Sequence, residues 1–156
     1  MKFLKKFDEL SARLAHSQAM IFERSVEEGL PSKMFIRCYM LSEEIKNIDE
    51  LLLDVAGLSE VELFYTIKRK LKSSRGKLLS YPVMHFIGYF YRAASYLSGY
   101  SSKQLYFKVP VEFLLRNYLV LHTYPIEEAV RETFTILKIE DNDLYQRFKE
   151  IYGRCK

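Results

Sequence analysis

SYPVMHFIGYFYRAASYLSG, residues 80–99, is the most apolar helical segment in this chain of 156 residues. Ser80 and Pro82 are residue types that open helices, and Gly99 is one that closes them. The apolar side chains between them recur at helical spacing: Val83, Ile87, Phe90, Ala94 and Leu97, with Met84, Phe86 and Tyr91 beside them. A helix that is apolar on most sides is usually central. We therefore predict a central helix, approached closely by another helix at Gly88, because a mid-helix glycine otherwise costs roughly 1 kcal/mol relative to alanine.

The remaining sequence carries further amphipathic patterns and no alternating strand pattern, which predicts an all-α fold. We expect one compact single-domain bundle of about seven or eight helices. It comprises an amphipathic N-terminal helix within residues 1–29, a helical core over residues 32–153 and a tail at residues 154–156. The stripe of the first helix is Phe3, Phe7, Leu10, Leu14, Ser17 and Ile21. Such a stripe usually docks on its own domain and is also compatible with a homodimer.

Residues that start helices divide the predicted core into segments. The predicted starts are Ser32, Ser59 in a capping box with Glu62, Ser101 in a capping box with Gln104, Pro110, Thr123, and Asp141 or Asn142. In a capping box, the serine hydroxyl and the side chain three residues on each bond the other's backbone N–H. A short apolar piece, residues 51–55, is predicted to end at Gly57.

The composition is that of a globular protein, since 49% of the residues are hydrophobic and 28% are charged. Twelve tyrosines and eleven phenylalanines indicate either a core whose rim is exposed to solvent or a surface that binds a partner. Cys38 and Cys155 lie far apart without nearby ligands, so we expect reduced thiols and no disulfide framework. Charged residues follow closely on the first residues of the chain, so we predict no signal peptide. Charged residues also interrupt the apolar runs, so we predict no membrane span and a cytoplasmic protein.

The sequence contains no recognisable catalytic pattern. The histidines, His16, His85 and His122, are scattered, and no phosphate loop, nucleophile elbow or metal-ligand array accompanies them. We therefore predict no catalytic residue, no cofactor and no metal. An enzyme that acts through Arg92 and His122 is the third hypothesis, after two binding hypotheses.

The net charge of +4 is unevenly distributed. Seven acids and one base lie between residues 43 and 62, and six bases without an acid follow over residues 68–77. The candidates for a salt-sensitive nucleic-acid contact in this run are Lys68, Arg69, Lys72 and Arg75. The alternative is a solvated helix end, where cations complement the helix dipole.

Residues 101–118, SSKQLYFKVPVEFLLRNY, have the outline of a helix-turn-helix. Arg116 and Asn117 are the candidate nucleic-acid contacts on its second helix. Glu112 and Phe113 suit a phosphate-facing surface poorly, so the pattern is a weak one. A DNA-binding regulator that uses this segment is the second functional hypothesis.

Tyrosines gather around Arg92 in the central helix and after it. In one interpretation they form a protein-binding hot spot. Its candidate contacts are Tyr89, Arg92, Tyr96, Lys103, Tyr106 and His122. In the other interpretation, Arg92 and His122 belong to a polar core network with tyrosine hydroxyls and helix ends, since an unpaired buried guanidinium is costly.

Several of these segments resemble a set of short bacterial proteins. The matching segments are IGYFYR at residues 87–92, SSKQLY at residues 101–106, and Tyr118 followed by His122 and Thr123. They are similar to the family's IGYxYR, SSKxIY and YxxxHT motifs in the same order, and MFIRCYMLSEE at residues 34–44 resembles its FIxxFMxS segment. The chain departs from the family pattern at Ala93-Ala94 and at Tyr124-Pro125-Ile126.

The resemblance implies a function in binding. Genes for similar proteins often lie in small operons that resemble toxin–antitoxin modules, sometimes beside toxins that resemble ADP-ribosyltransferases. This implies a non-enzymatic protein-binding domain, antitoxin-like or accessory, with a protein partner such as a toxin encoded nearby. DNA is the alternative partner.

Overall fold

The computed structural model describes residue 3 and residues 5–49, 60–71 and 75–140, and all of its regular structure in these ranges is α-helical. The helices are α1 (Glu9–Glu27), α2 (Ser32–Met40), α3 (Glu43–Asp49), α4 (Glu60–Leu71), α5 (Tyr81–Ser98), α6 (Ser102–Lys108), α7 (Val111–Leu121) and α8 (Ile126–Ile136). The α5 helix contacts α1, α6, α7 and α8. The predicted all-α single-domain bundle with a central helix is confirmed.

The most extensive contact between described helices is that of α1 with α5, and it includes a close approach at Gly88. A Cβ atom built on Gly88 would lie 2.9 Å from the Cγ atom of Phe22 and 3.0 Å from the Cα atom of Ala19. Any side chain at this position would therefore push the two helices apart. The prediction that another helix approaches Gly88 closely is confirmed.

The buried face of α1 differs from the predicted stripe. The helix begins at Glu9, after a capping box between Asp8 and Ser11, so Phe3 and Phe7 precede it. Its buried residues are Ser11, Ala15, Gln18, Ala19, Ile21, Phe22 and Ser25. The large apolar side chains defined the predicted stripe, whereas small residues let the backbones of α1 and α5 approach. The buried face is therefore rotated by about one residue, or roughly 100°, and Leu10 is 45% exposed.

Four predicted helix boundaries are confirmed and two are wrong. The Ser101–Gln104 capping box is present, Pro110 precedes α7, and α5 lies between its N-cap Ser80 and its C-cap Gly99, whose φ is 79°. Ser32 does not cap α2, which begins after Pro31, because the Ser32 hydroxyl instead accepts from the Leu79 N–H at 2.8 Å. Thr123 does not cap α8, which begins after Pro125, because the Thr123 hydroxyl donates to the Val120 carbonyl.

Several predicted features fall on residues that the structure does not describe. They are the apolar piece at residues 51–55, the Ser59 half of the capping box with Glu62, and the last helix from Asp141 or Asn142. Across the ranges that are described, no helix is both long enough and apolar enough to cross a membrane.

Tyr91 of α5 is buried, and its hydroxyl donates to the Val109 carbonyl at 2.6 Å. Burial, and secondarily the neighbouring Tyr106, raise the pKa of the Tyr91 hydroxyl far above its ordinary value. The folded state therefore keeps this proton at a pH where the unfolded chain loses it. This contribution to stability is fully present below about pH 10 and decreases as the pH rises above that value.

We expect Tyr91→Phe to flatten the alkaline loss of stability, because phenylalanine has no proton to lose. At neutral pH the same change costs about 1 kcal/mol through the lost hydrogen bond. Urea denaturation of both proteins from neutral pH to about pH 11 measures the slopes. The control is Tyr81→Phe, because Tyr81 is 46% exposed. Equal alkaline slopes for the wild type and Tyr91→Phe would contradict the expectation.

Candidate functional site

Arg92 lies inside the bundle, where its side chain is 3% exposed and hydrogen bonded in three directions. Its guanidinium donates to Gln18 Oε1 at 3.0 Å, to Asp49 Oδ1 at 2.8 Å and to the Ser102 hydroxyl at 3.2 Å. The charge is therefore paired with Asp49, whose side chain is 7% exposed. Arg92 presents no surface to a partner in this arrangement.

The same network connects five helices. Asp49 at the end of α3 accepts from the Ser102 N–H at 2.9 Å and the Ser102 hydroxyl at 2.6 Å, at the start of α6. Gln18 of α1 accepts from the Tyr39 hydroxyl of α2 and donates to the Gly88 carbonyl of α5. Satisfied networks of this kind favour one arrangement of the helices over others. The network therefore fixes the frame that carries the surface.

An open groove of about 610 Å³ lies on the surface between α5, α7 and the start of α8. Its lining is mostly aromatic: Tyr81, Pro82, His85, Phe86 and Tyr89 from α5, Glu23 from α1, Tyr118 from α7, and His122, Tyr124 and Ile126 from the segment after it. The volume falls within the range of ligand-binding pockets. We call this feature the aromatic groove.

Helical spacing places the rings of the aromatic groove. On α5, Tyr81, His85 and Tyr89 are four residues apart, which sets them on one face. The rings of His85 and Tyr89 stack with centroids 6.2 Å apart and planes 16° apart. Tyr118 of α7 and His122 at its C-cap are also four residues apart, and their rings stack with centroids 4.5 Å apart.

A T-shaped contact joins the two walls of the aromatic groove. The rings of Phe86 and Tyr118 have centroids 5.5 Å apart and planes 68° apart. The His122 ring is held in turn by a 2.7 Å contact between its Nδ1 atom and the Tyr118 carbonyl. The stacked pairs and the cross-wall contact fix the orientation of the rings before any ligand binds.

The charge of the aromatic groove comes from Glu23. Its Oε1 atom lies 3.3 Å from the Nδ1 atom of His85, and its side chain is 26% exposed. Burial raises the pKa of the Tyr89 hydroxyl, so this group stays neutral at physiological pH. The groove thus combines one carboxylate with tyrosine, phenylalanine and histidine rings.

The helix α7, which contributes Tyr118 to the aromatic groove, also has an exposed apolar side. Leu115, Tyr118, Leu119 and His122 are three or four residues apart, so they share one helix face. Leu119 is 78% exposed, and Val120 beside it is 55% exposed. An exposed leucine next to an aromatic groove is the kind of apolar anchor found at binding surfaces.

The six predicted protein contacts lie in different places. Tyr89 and His122 both line the aromatic groove. The other four, Arg92, Tyr96, Lys103 and Tyr106, are not among its lining residues. The Tyr96 hydroxyl donates to Asp8, the N-cap residue of α1, at 3.2 Å. The Lys5 ammonium lies over the Tyr96 ring, 4.7 Å from its centroid. Lys103 is exposed on α6, and Tyr106 is half-buried there.

The polar-network interpretation holds for Arg92 and is wrong for His122. Arg92 bonds Asp49, Gln18 and Ser102 directly, and a tyrosine hydroxyl enters only through Gln18. His122 is exposed, and its ring stacks on Tyr118. The reason is its position at the C-cap of α7, which lies on the surface.

Several charges of the basic run are paired within the chain. The Lys68 Nζ atom lies 2.9 Å from Glu28 Oε2, and the Lys70 Nζ atom lies 2.8 Å from Glu44 Oε2. These lysines lower the pKa of Glu28 and of Glu44 through hydrogen bonds and charge. Of the other candidates in this run, Arg69 donates to the Thr66 hydroxyl, and Arg75 is exposed. Lys72 lies outside the described residues. The pairing reduces the charge available to phosphates.

Two polar side chains on the second helix of the predicted helix-turn-helix have partners within the chain. Glu112 is paired with Lys33, which lowers the pKa of that carboxyl. The Asn117 amide donates to the Phe113 carbonyl at 2.9 Å, whereas Arg116 is exposed. Both α6 and α7 pack on α5 as members of the bundle.

Sequence reasoning missed most of the aromatic groove. Glu23, Tyr81, His85, Phe86 and Tyr124 were not among its candidates, although they line the groove. The available signal was the recurrence of tyrosine and histidine every four residues in α5 and again in α7. Within the described ranges, no group of three or more histidine, cysteine or acidic side chains is arranged to hold a metal ion.

Comparisons of this chain with protein-family models, curated proteins and solved structures give no match.

Proposed function

We propose that this chain is a non-enzymatic protein-binding domain whose recognition surface is the aromatic groove together with Leu119. The observation that carries the proposal is an open groove of about 610 Å³, bearing four tyrosines, beside a leucine that is 78% exposed. Tyrosine is enriched among the residues that dominate binding energy, since it offers a large apolar body and a polar tip at low entropic cost. Apolar anchors next to such rings are typical of interface centres.

The rigidity of the site also supports recognition. The rings are held by stacking on α5 and α7, and these helices pack in a bundle that the Arg92–Asp49 network connects. A surface ordered in advance loses less entropy when a partner binds. The aromatic groove is therefore suited to a folded partner or to a segment of one.

The finer proposal, that the partner is a toxin encoded nearby, depends on the motif resemblance alone. Two of its motif segments contribute to the groove, because Tyr89 lies in IGYFYR and Tyr118 and His122 form the YxxxHT pattern. DNA binding through residues 101–118 is the alternative, and it has less support because Glu112 and Asn117 have partners within the chain.

A photo-crosslinking experiment in the native host tests the proposed function. The crosslinking amino acid replaces Leu119 in one variant and, as a control, Ile136, an exposed apolar residue on α8. We expect one protein to be captured from position 119, with yield unaffected by nuclease, and not from position 136. Equal capture from both positions, or an adduct that contains nucleic acid, would contradict the proposal.

A further inference from the structure

The electrostatics of the aromatic groove indicate the charge of its occupant. Among the described residues that line the groove, Glu23 is the one acid, and none is a lysine or an arginine. One carboxylate oxygen, Oε1, lies 3.3 Å from the Nδ1 atom of His85, and the Glu23 side chain is 26% exposed, so the carboxylate is partly desolvated and can still be reached from solvent. A carboxylate in such a recess attracts a cation more strongly than one in open water. The groove thus carries a carboxylate and no lysine or arginine among its described lining residues, on a chain whose net charge is +4.

The ring faces of the aromatic groove add a second, independent preference for a cation. Elsewhere the chain already places its own cations over rings: Lys5 lies 4.7 Å from the Tyr96 ring, Lys108 lies 4.9 Å from the Tyr100 ring, and Arg131 lies 5.3 Å from the Phe3 ring. No lysine or arginine of the described residues lies over a lining ring of the groove. His85 stacks on Tyr89 and Tyr118 stacks on His122, so a cation from outside can use the ring faces that these pairs leave uncovered.

We infer that the aromatic groove receives an arginine side chain from the protein partner. The guanidinium lies against the rings and near the Glu23 carboxylate, and an apolar neighbour of that arginine packs on Leu119. Arginine is favoured over lysine because its planar head stacks on aromatic rings and binds a carboxylate with two N–H groups. This inference rests on the proposed function and specifies the chemistry of the same surface.

Matched tripeptides test the inference on the full chain. The probe is acetyl-Leu-Arg-Leu-amide, and its neutral isostere replaces the arginine with citrulline. Binding is followed by amide chemical shifts in NMR titrations at millimolar concentration. We expect the arginine probe to shift amides along the groove walls and to bind at least about threefold more tightly than the citrulline probe.

Two variants and one control assign the effect to the groove. Glu23→Gln removes the charge with little change in shape, and Tyr118→Leu removes a ring face. We expect each to weaken the arginine probe about threefold to thirtyfold. Glu9→Gln is the control, because Glu9 is an exposed acid on the same helix, paired with Arg13. The control is expected to bind like the wild type.

Three outcomes would overturn the inference. They are equal binding of the citrulline and arginine probes, wild-type binding by Glu23→Gln, and concentration-dependent self-association that Glu23→Gln abolishes, which would make a second copy the occupant. If crosslinking from position 119 captures a partner whose binding Glu23→Gln leaves unchanged, the arginine inference fails while the proposed function stands. If no partner is captured, the proposed function itself fails.

Discussion

Replacing Asp49 with alanine is expected to lower the free energy of unfolding by about 3–5 kcal/mol. The change removes the carboxylate 2.8 Å from Arg92 and leaves a guanidinium that is 3% exposed without its counter-charge. It also removes the acceptor for the Ser102 N–H at the start of α6. Breaking a buried pair by deleting one partner is costly because the remaining charge stays desolvated.

A double-mutant cycle separates this pair from the rest of the network. Arg92→Met keeps much of the side-chain volume without the charge, and the double variant removes both charges. We expect the double variant to be more stable than Asp49→Ala alone, because no unpaired charge is left inside. Urea denaturation of the four proteins measures the coupling.

Surface pairs provide the control for the cycle. Glu9→Ala breaks an ion pair with Arg13 in which both side chains are largely exposed. It is expected to change stability by less than about 1 kcal/mol. Additive effects of Asp49→Ala and Arg92→Met would contradict the proposed role of the network.

Gly88→Val is expected to destabilise the fold by about 3 kcal/mol, at the upper end of the usual overpacking cost. A Cβ atom at this position would lie 2.9 Å from the Phe22 ring and 3.0 Å from both the Ala19 Cα atom and the Gln18 carbonyl oxygen. Two of these three neighbours are backbone atoms, which cannot rotate away. The helices α1 and α5 would have to separate, and the bond from Gln18 to the Gly88 carbonyl would be lost.

The smaller substitution Gly88→Ala shows whether close packing or helix propensity dominates at this position, because the two predict opposite signs for the change in the free energy of unfolding. Propensity alone predicts that Gly88→Ala gains roughly 1 kcal/mol, because alanine is the better helix former. The close contact between α1 and α5 predicts instead that Gly88→Ala is less stable than the wild type. Thermal and urea denaturation of Gly88→Ala decide between the two, and a more stable variant would show that the helices can move apart at little cost.

The fold was predictable where the signal is local. The apolar pattern and end residues of 80–99 identified the central helix, and the Ser101–Gln104 capping box identified the start of α6, because each depends on residues close in sequence. The buried face of α1 was not predictable from apolar spacing, because it is set by small residues that match Gly88 across the helix pair.

The site was less predictable because it is assembled from distant segments. Arg92 could be read as a surface residue or a core residue, and the deciding partner, Asp49, lies 43 positions away. Glu23 reaches the aromatic groove from α1, far in sequence from Tyr118. The four-residue spacing of tyrosine and histidine in α5 and from Tyr118 to His122 was the local signal that could have shown that these rings share a face.

The most direct measurement of the central claim is the affinity of the captured partner for two variants of this chain. Tyr118→Ala removes the ring that joins the two walls of the aromatic groove, whereas Ile136→Ala trims an exposed apolar side chain on α8. If the groove is the recognition surface, Tyr118→Ala weakens binding by about thirtyfold or more, and Ile136→Ala leaves it within about twofold. Equal affinities of both folded variants would show that the partner binds elsewhere.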